Sequence, residues 1–154
     1  MKDPKILAEA QDRVWVSGDF QPKETDAGEM TYCNLAVSTV LGMMGCHALD
    51  HLTAGAMVLR MREHPDWEMC RMQEAQMRVN QGSLIVAGLT ANELGQTHAH
   101  VCTLTPGVVD FAGKWGVTTP VCMNLGRKGT CFRSKGVNWA FQIRPDFFVW
   151  KESL

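Results

Sequence analysis

The stretch MQEAQMRVNQGSLIVAGL, residues 72–89, changes character in its middle, and that change decides the fold class. Up to Asn80 the pattern is helical, and Gly82 supplies the stop. From Ser83 to Leu89 a short apolar run follows, of the kind a buried strand uses. Working upstream, Leu35, Ala36, Val40, Leu41 and Met44 recur at helical spacing between an N-capping Thr31 and Gly45. A further helix is predicted over residues 49–63, ending before His64-Pro65 because the residue preceding proline avoids helical geometry. Working downstream, β-type runs cover residues 98–105, 120–125, 137–143 and 147–150, separated by loops rich in Gly, Pro, Asn and Asp. A helical half followed by a stranded half predicts an α+β fold, with N-terminal helices packed on a small antiparallel sheet.

At 154 residues the chain fits one domain. Residues 1–30 are expected to be an N-terminal arm of that domain, polar and rich in turn formers. Its one apolar run, Val14-Trp15-Val16, reads as an edge strand or packed segment. Residues 31–154 form the body. No repeat or low-complexity tract suggests a second unit.

The formal net charge of −1 argues against nucleic acid and anionic membranes as partners. Arg127, Lys128, Arg133 and Lys135 make a small basic cluster that reads as a solvated loop. Residues 1–20 are charged throughout and lack a continuous apolar core, so the expectation is a chain made in the cytoplasm without a signal peptide. The six cysteines are widely spaced with no CxxC, which favours reduced thiols over a zinc site or a redox pair. Ten scattered methionines read as adaptable core filler.

Cys33 is the candidate nucleophile. A thiol in the first turn of a helix lies near unpaired N–H groups and the positive end of the helix dipole, which favour thiolate. The plainer account is a buried, inert cysteine. His98 and His100 both project from the same face of a predicted strand, and either imidazole could take the thiol's proton. Strand parity does not choose between them. Asn124, near the end of the 120–125 run, is the candidate third group that orients the imidazole, although Asn-Leu-Gly is also an ordinary strand exit. His47 and His51 stand four apart, a spacing that suits two metal ligands, but the intervening glutamate of a zinc protease is missing; solvated helix histidines are the simpler account, and no metal or organic cofactor is expected.

In order along the chain, Thr31-Tyr-Cys33-Asn34-Leu-Ala-Val, then Asn80-Gln-Gly82 followed by the apolar run to Ala87, then Ala99-His100-Val101 form a recognisable series. It continues through Pro106-Gly107, Gly113-Lys-Trp115-Gly116, Pro120-Val, Asn124-Leu-Gly126 and Val137-Asn-Trp139-Ala-Phe141. This series resembles the NlpC/P60 and amidase-like cysteine peptidases over most of residues 30–150. The resemblance implies a papain-like NlpC/P60 fold with Cys33 as nucleophile, His100 as base and Asn124 as the third residue. Tyr32 and His98 are implied to line the substrate cleft. The implied activity is hydrolysis of amide bonds in peptidoglycan peptides, by a phage lysin or an antibacterial effector delivered to the wall, with an immunity protein or delivery machinery as further partners. Tyr32, Asn34 and Ala99 depart from the Asp, Ser-Gly and Gly common at those places in the family. The same fold also serves deamidases, acyltransferases, proteases acting on proteins, and non-catalytic binding modules.

Overall fold

The computed structural model describes residues 2–153; Met1 and Leu154, the ends of the two expected segments, lie outside them. Helix α1 (Pro4–Ser17) opens the described chain. The Asp3 side chain accepts a hydrogen bond from the Lys5 N–H, Pro4 sits in the first turn, and Gly18 closes the helix in the left-handed conformation. A hairpin follows, β1 (Lys23–Thr25) and β2 (Gly28–Met30), with every residue exposed. Next come α2 (Cys33–Met43), α3 (Ala54–Glu63), β3 (Trp67–Cys70) and α4 (Met72–Asn80). The remainder is β4 (Ile85–Leu89), the short α5 (Ala91–Leu94), β5 (His100–Leu104), β6 (Asp110–Ala112), β7 (Val117–Thr119), β8 (Val121–Asn124), β9 (Phe132–Gly136) and β10 (Asp146–Trp150).

Six strands make the main sheet in the order β3-β10-β4-β5-β8-β9, each neighbouring pair antiparallel. The fold is therefore α+β, with five α-helices among the described residues and a mostly antiparallel sheet, as the helix-then-strand order predicts. Helix α2 packs on β5 and helix α3 on β3, β4 and β5. Strand β4 is buried at all five positions, as its unbroken apolar run requires. One continuous core joins these elements, from Leu7 and Val14 in α1 to Phe148 in β10. Among the described residues no helix is long and apolar enough to cross a membrane.

Several expectations are corrected here. Of the two readings of Val14-Trp15-Val16, the packed one holds, but as the end of a helix: α1 buries Leu7, Ala10 and Val14 against the core, and the turns and exposed hairpin follow only from Gly18. The helix expected from Leu49 begins at Ala54, because the Thr53 hydroxyl caps the Ala56 N–H and His51 lies at φ 63°, which no helix accepts. His47 and His51 thus lie in turns and share no helix face. The run at 137–143 is not a strand. Residues Val137–Trp139 form a 3₁₀ turn after β9, whose outward-facing Arg133, Ser134 and Lys135 hide its strand character. Strand β3 was not foreseen at all.

Gly82, the stop in the opening stretch, has φ 100° and is approached by the Lys2 backbone, whose N–H donates to the Gly82 carbonyl at 3.1 Å. A Cβ here would stand 1.7 Å from the Lys2 carbonyl oxygen, so the position admits only glycine.

Candidate active site

Cys33 is the first residue of α2, and His100 is the first residue of β5, on which α2 packs. Both line one open cleft of about 920 Å³, together with Asn124 from the end of β8. Three elements far apart in sequence thereby bring a thiol, an imidazole and an amide to one place.

Asn124 fixes the state of the imidazole. Its Nδ2 donates to the Thr130 carbonyl at 2.9 Å, which leaves Oδ1 as the atom 2.6 Å from His100 Nε2. An amide oxygen only accepts, so Nε2 carries the proton and donates. The reverse amide orientation would face one carbonyl oxygen with another. In the neutral ring Nδ1 is then a free lone pair, the form a general base needs. The imidazole keeps partial exposure to the cleft, and the Phe141 ring lies across it at 5.0 Å between centroids, tilted by 56°. Burial lowers the His100 pKa below its ordinary value of 6.5; the Asn124 bond opposes this, and the charge of Arg127 adds to it.

Gly126 makes room for the pair. A Cβ at this position would sit 3.3 Å from His100 Cε1 and 3.1 Å from the Thr130 hydroxyl. The Asn124-Leu-Gly exit is thus both a strand end and the floor beside the imidazole.

At Cys33 the electrostatics differ from the sequence expectation. Burial pushes the thiol above its ordinary pKa of 9.0, outweighing the N–H groups of Val101, Asn34 and Cys33 that favour thiolate. The resting group is a neutral thiol. Among the described residues its polar neighbours are backbone N–H groups, that of Val101 foremost, and no hydrogen bond to His100 is found. The predicted cap is also displaced: Tyr32, not Thr31, is the N-cap, and no side chain caps the helix. The first-turn N–H groups of α2 therefore lack the side-chain acceptor that α1, α3 and α5 possess.

No family model matches the chain, and no curated protein matches it.

His98 lies in a bend before β5, exposed on the cleft wall, so strand parity does not govern it. Tyr32, by contrast, is not part of the cleft wall; it is half-buried, with the Lys23 ammonium 5.7 Å from its ring centre. Its neighbours Thr31 and Cys33 do border the cleft. His47 bonds Asp50 at 3.0 Å, and among the described residues no three His, Cys, Asp or Glu side chains gather as a metal site. Phe141, Gly126 and Thr130 escaped the sequence reading as site residues. Only the Asn-Leu-Gly exit carried a signal, and it read as a turn.

Proposed function

We propose that this protein is a papain-like cysteine hydrolase of the NlpC/P60 type that cleaves amide bonds in peptidoglycan peptides. The observation that carries the reading is the His100–Asn124 hydrogen bond on the wall of the cleft that Cys33 also lines, with the ring tautomer set so that Nδ1 is unprotonated.

The chemistry starts from a neutral pair. As Cys33 Sγ attacks the amide carbonyl, its proton passes to His100 Nδ1, and the imidazolium is steadied through Nε2–H by Asn124. The uncapped first-turn N–H groups of α2 supply donors for the tetrahedral oxyanion. Collapse breaks the C–N bond while His100 returns the proton to the leaving amine. Water, deprotonated by His100, then hydrolyses the thioester and regenerates the thiol. The substrate class comes from the resemblance; the cleft's size and openness are compatible with an extended peptide.

The deciding experiment is digestion of purified peptidoglycan with analysis of the released peptides, native protein against Cys33→Ala. New amine and carboxyl ends made by the native protein alone support the reading. Identical products from both, or no cleavage by either, would overturn it.

A further inference from the structure

Arg127 lines the cleft, and it is the one Lys or Arg on that wall among the described residues. Its backbone is tied to the candidate site: the Arg127 carbonyl accepts from the Thr130 N–H at 3.0 Å and from the Thr130 hydroxyl at 2.7 Å, and the Thr130 carbonyl in turn holds the Asn124 amide. The guanidinium, however, meets only a neutral acceptor, Gln96 Oε1, at 3.4 Å. Compare Arg62, whose guanidinium is shared by Glu93 and Asp146 at 2.7 and 2.8 Å. Glu29, the sole carboxylate on the cleft wall among the described residues, accepts from the Lys128 N–H at 3.0 Å, and no ion pair with Arg127 is found among them. An exposed cation thus borders the groove, on the turn that orients the His–Asn pair and, among the described residues, without an anion of its own.

We propose that Arg127 reads a free carboxylate next to the scissile amide, so that the enzyme selects acidic peptides over their amidated counterparts. The proposal deepens the hydrolase reading and rests on Cys33 being the reactive thiol. A guanidinium matches a carboxylate with two parallel N–H donors, and such charge-assisted bonds are about twice as strong as neutral ones. The same charge bears on the imidazole, lowering its pKa alongside the larger effect of burial. A bound substrate anion opposes that effect, so an acidic substrate adjusts the base as well as docking beside it. The carboxylate could be main-chain or side-chain, and the two are separable by experiment.

The test uses alkylating probes, which need no turnover: bromoacetyl-D-glutamine (main-chain carboxylate), bromoacetyl-D-isoglutamine (side-chain carboxylate) and the uncharged diamide. In each, Cys33 Sγ bonds to the methylene carbon, the C–Br bond breaks to release bromide, and the thiol proton passes to His100. The second-order labelling rate at Cys33 is read by peptide mass spectrometry. With native protein one carboxylate probe is expected to outrun the diamide by about tenfold, the scale of a partly exposed charge-assisted contact, and the advantage should shrink in high salt. Arg127→Gln should bring the ratio toward one, and Arg127→Lys should keep part of it. Labelling of Cys33 with the same ratio in native and Arg127→Gln proteins overturns the anion-reading role and leaves the hydrolase reading standing. Failure of every probe to favour Cys33 over the other cysteines overturns both. Charge-selective labelling without peptidoglycan cleavage keeps the role of Arg127 and removes peptidoglycan as the substrate.

Discussion

At its first residue, strand β5 presents His100 to a cleft, with one ring nitrogen bonded to Asn124 and the other left as a free lone pair. A few residues on, the same strand is sealed: the Cys102 thiol bonds that of Cys122, while Gln11 of α1 donates to the Thr103 hydroxyl at 3.0 Å and the Leu104 carbonyl at 2.9 Å. Both ends hold buried or half-buried polar groups with shifted pKa values: burial lowers that of His100, and the Cys122 thiol together with burial raises that of Cys102. The difference is access. At the sealed end every named group faces protein, so its polarity serves packing; at the open end the partly exposed His100 and the largely buried Cys33 both border the cleft. A buried cysteine therefore says little by itself, and a cysteine that borders the same cleft as an unprotonated imidazole nitrogen says more.

The largest expected effect tests that contrast between thiols. Cys33→Ala should abolish hydrolysis while leaving the circular dichroism spectrum and melting transition near native; Cys102→Ala should retain activity and lose stability. Activity surviving Cys33→Ala would reverse the two roles. Next comes the base: His100→Ala should lower kcat/KM by about a hundredfold to ten-thousandfold, with His98→Ala costing far less because its ring is exposed in the preceding bend. Kinetics in which only the His98 variant fails would move the base to that residue. A smaller loss, about tenfold, is expected for Asn124→Ala, which frees the ring to rotate and to change tautomer.

Acid and alkali should sort the two ends without mutation. The folded-state pKa of His100 lies below 6.5. Between that value and 6.5 the unfolded chain binds more protons than the folded one, so stability present above 6.5 is lost as pH falls through this window. The acid limb of kcat/KM should likewise fall below 6.5. Cys102 is held well above 9.0, by its bond to Cys122 and by burial, so stability present below 9.0 is lost as pH rises beyond it. Melting temperature against pH should therefore drop on both sides, His100→Phe flattening the acid side and Cys102→Ala the alkaline side. If neither variant changes its own side, the groups do not titrate as described. The smallest effect on activity belongs to Gln11→Ala, which strands the Leu104 carbonyl: about 1–3 kcal/mol of stability is lost, with turnover of the remaining folded protein unchanged.

How much of this was legible beforehand follows the same division. Helix α4 and strand β4 could be read because Met72–Asn80 and the run after Gly82 keep one period each; Cys33 and Asn124 lay near element ends that the pattern marked, whereas His100 was placed inside a run from His98 and in fact opens β5. Helix α1 was missed although Asp3-Pro4 and Gly18 frame it, since its buried positions are interrupted by charges and its mean hydropathy is low. Strand β9 was missed because three successive residues face solvent, so no alternation survives. The tautomer of His100, the turn of the Cys33 sulfur toward Val101 and the isolation of Arg127 depend on groups distant in sequence. No local pattern encodes them.

The sheet order also bears on synthesis. Strand β10 lies between β3 and β4, so those two strands are not neighbours in the sheet and wait for a partner that begins only at Asp146, far downstream of Cys70 and Leu89 where they end. While the ribosome is still making residues 146–150, the facing edges of β3 and β4 are open at once, and the His100 strand, although flanked by finished β4 and β8, belongs to a four-stranded piece with β4 as its open edge. A nascent chain stalled before Asp146 should consequently be protease-sensitive and prone to edge-to-edge association, and should bind holding chaperones. The cleft would then rest on a finished sheet only once residues 146–150 have emerged and joined β3 to β4.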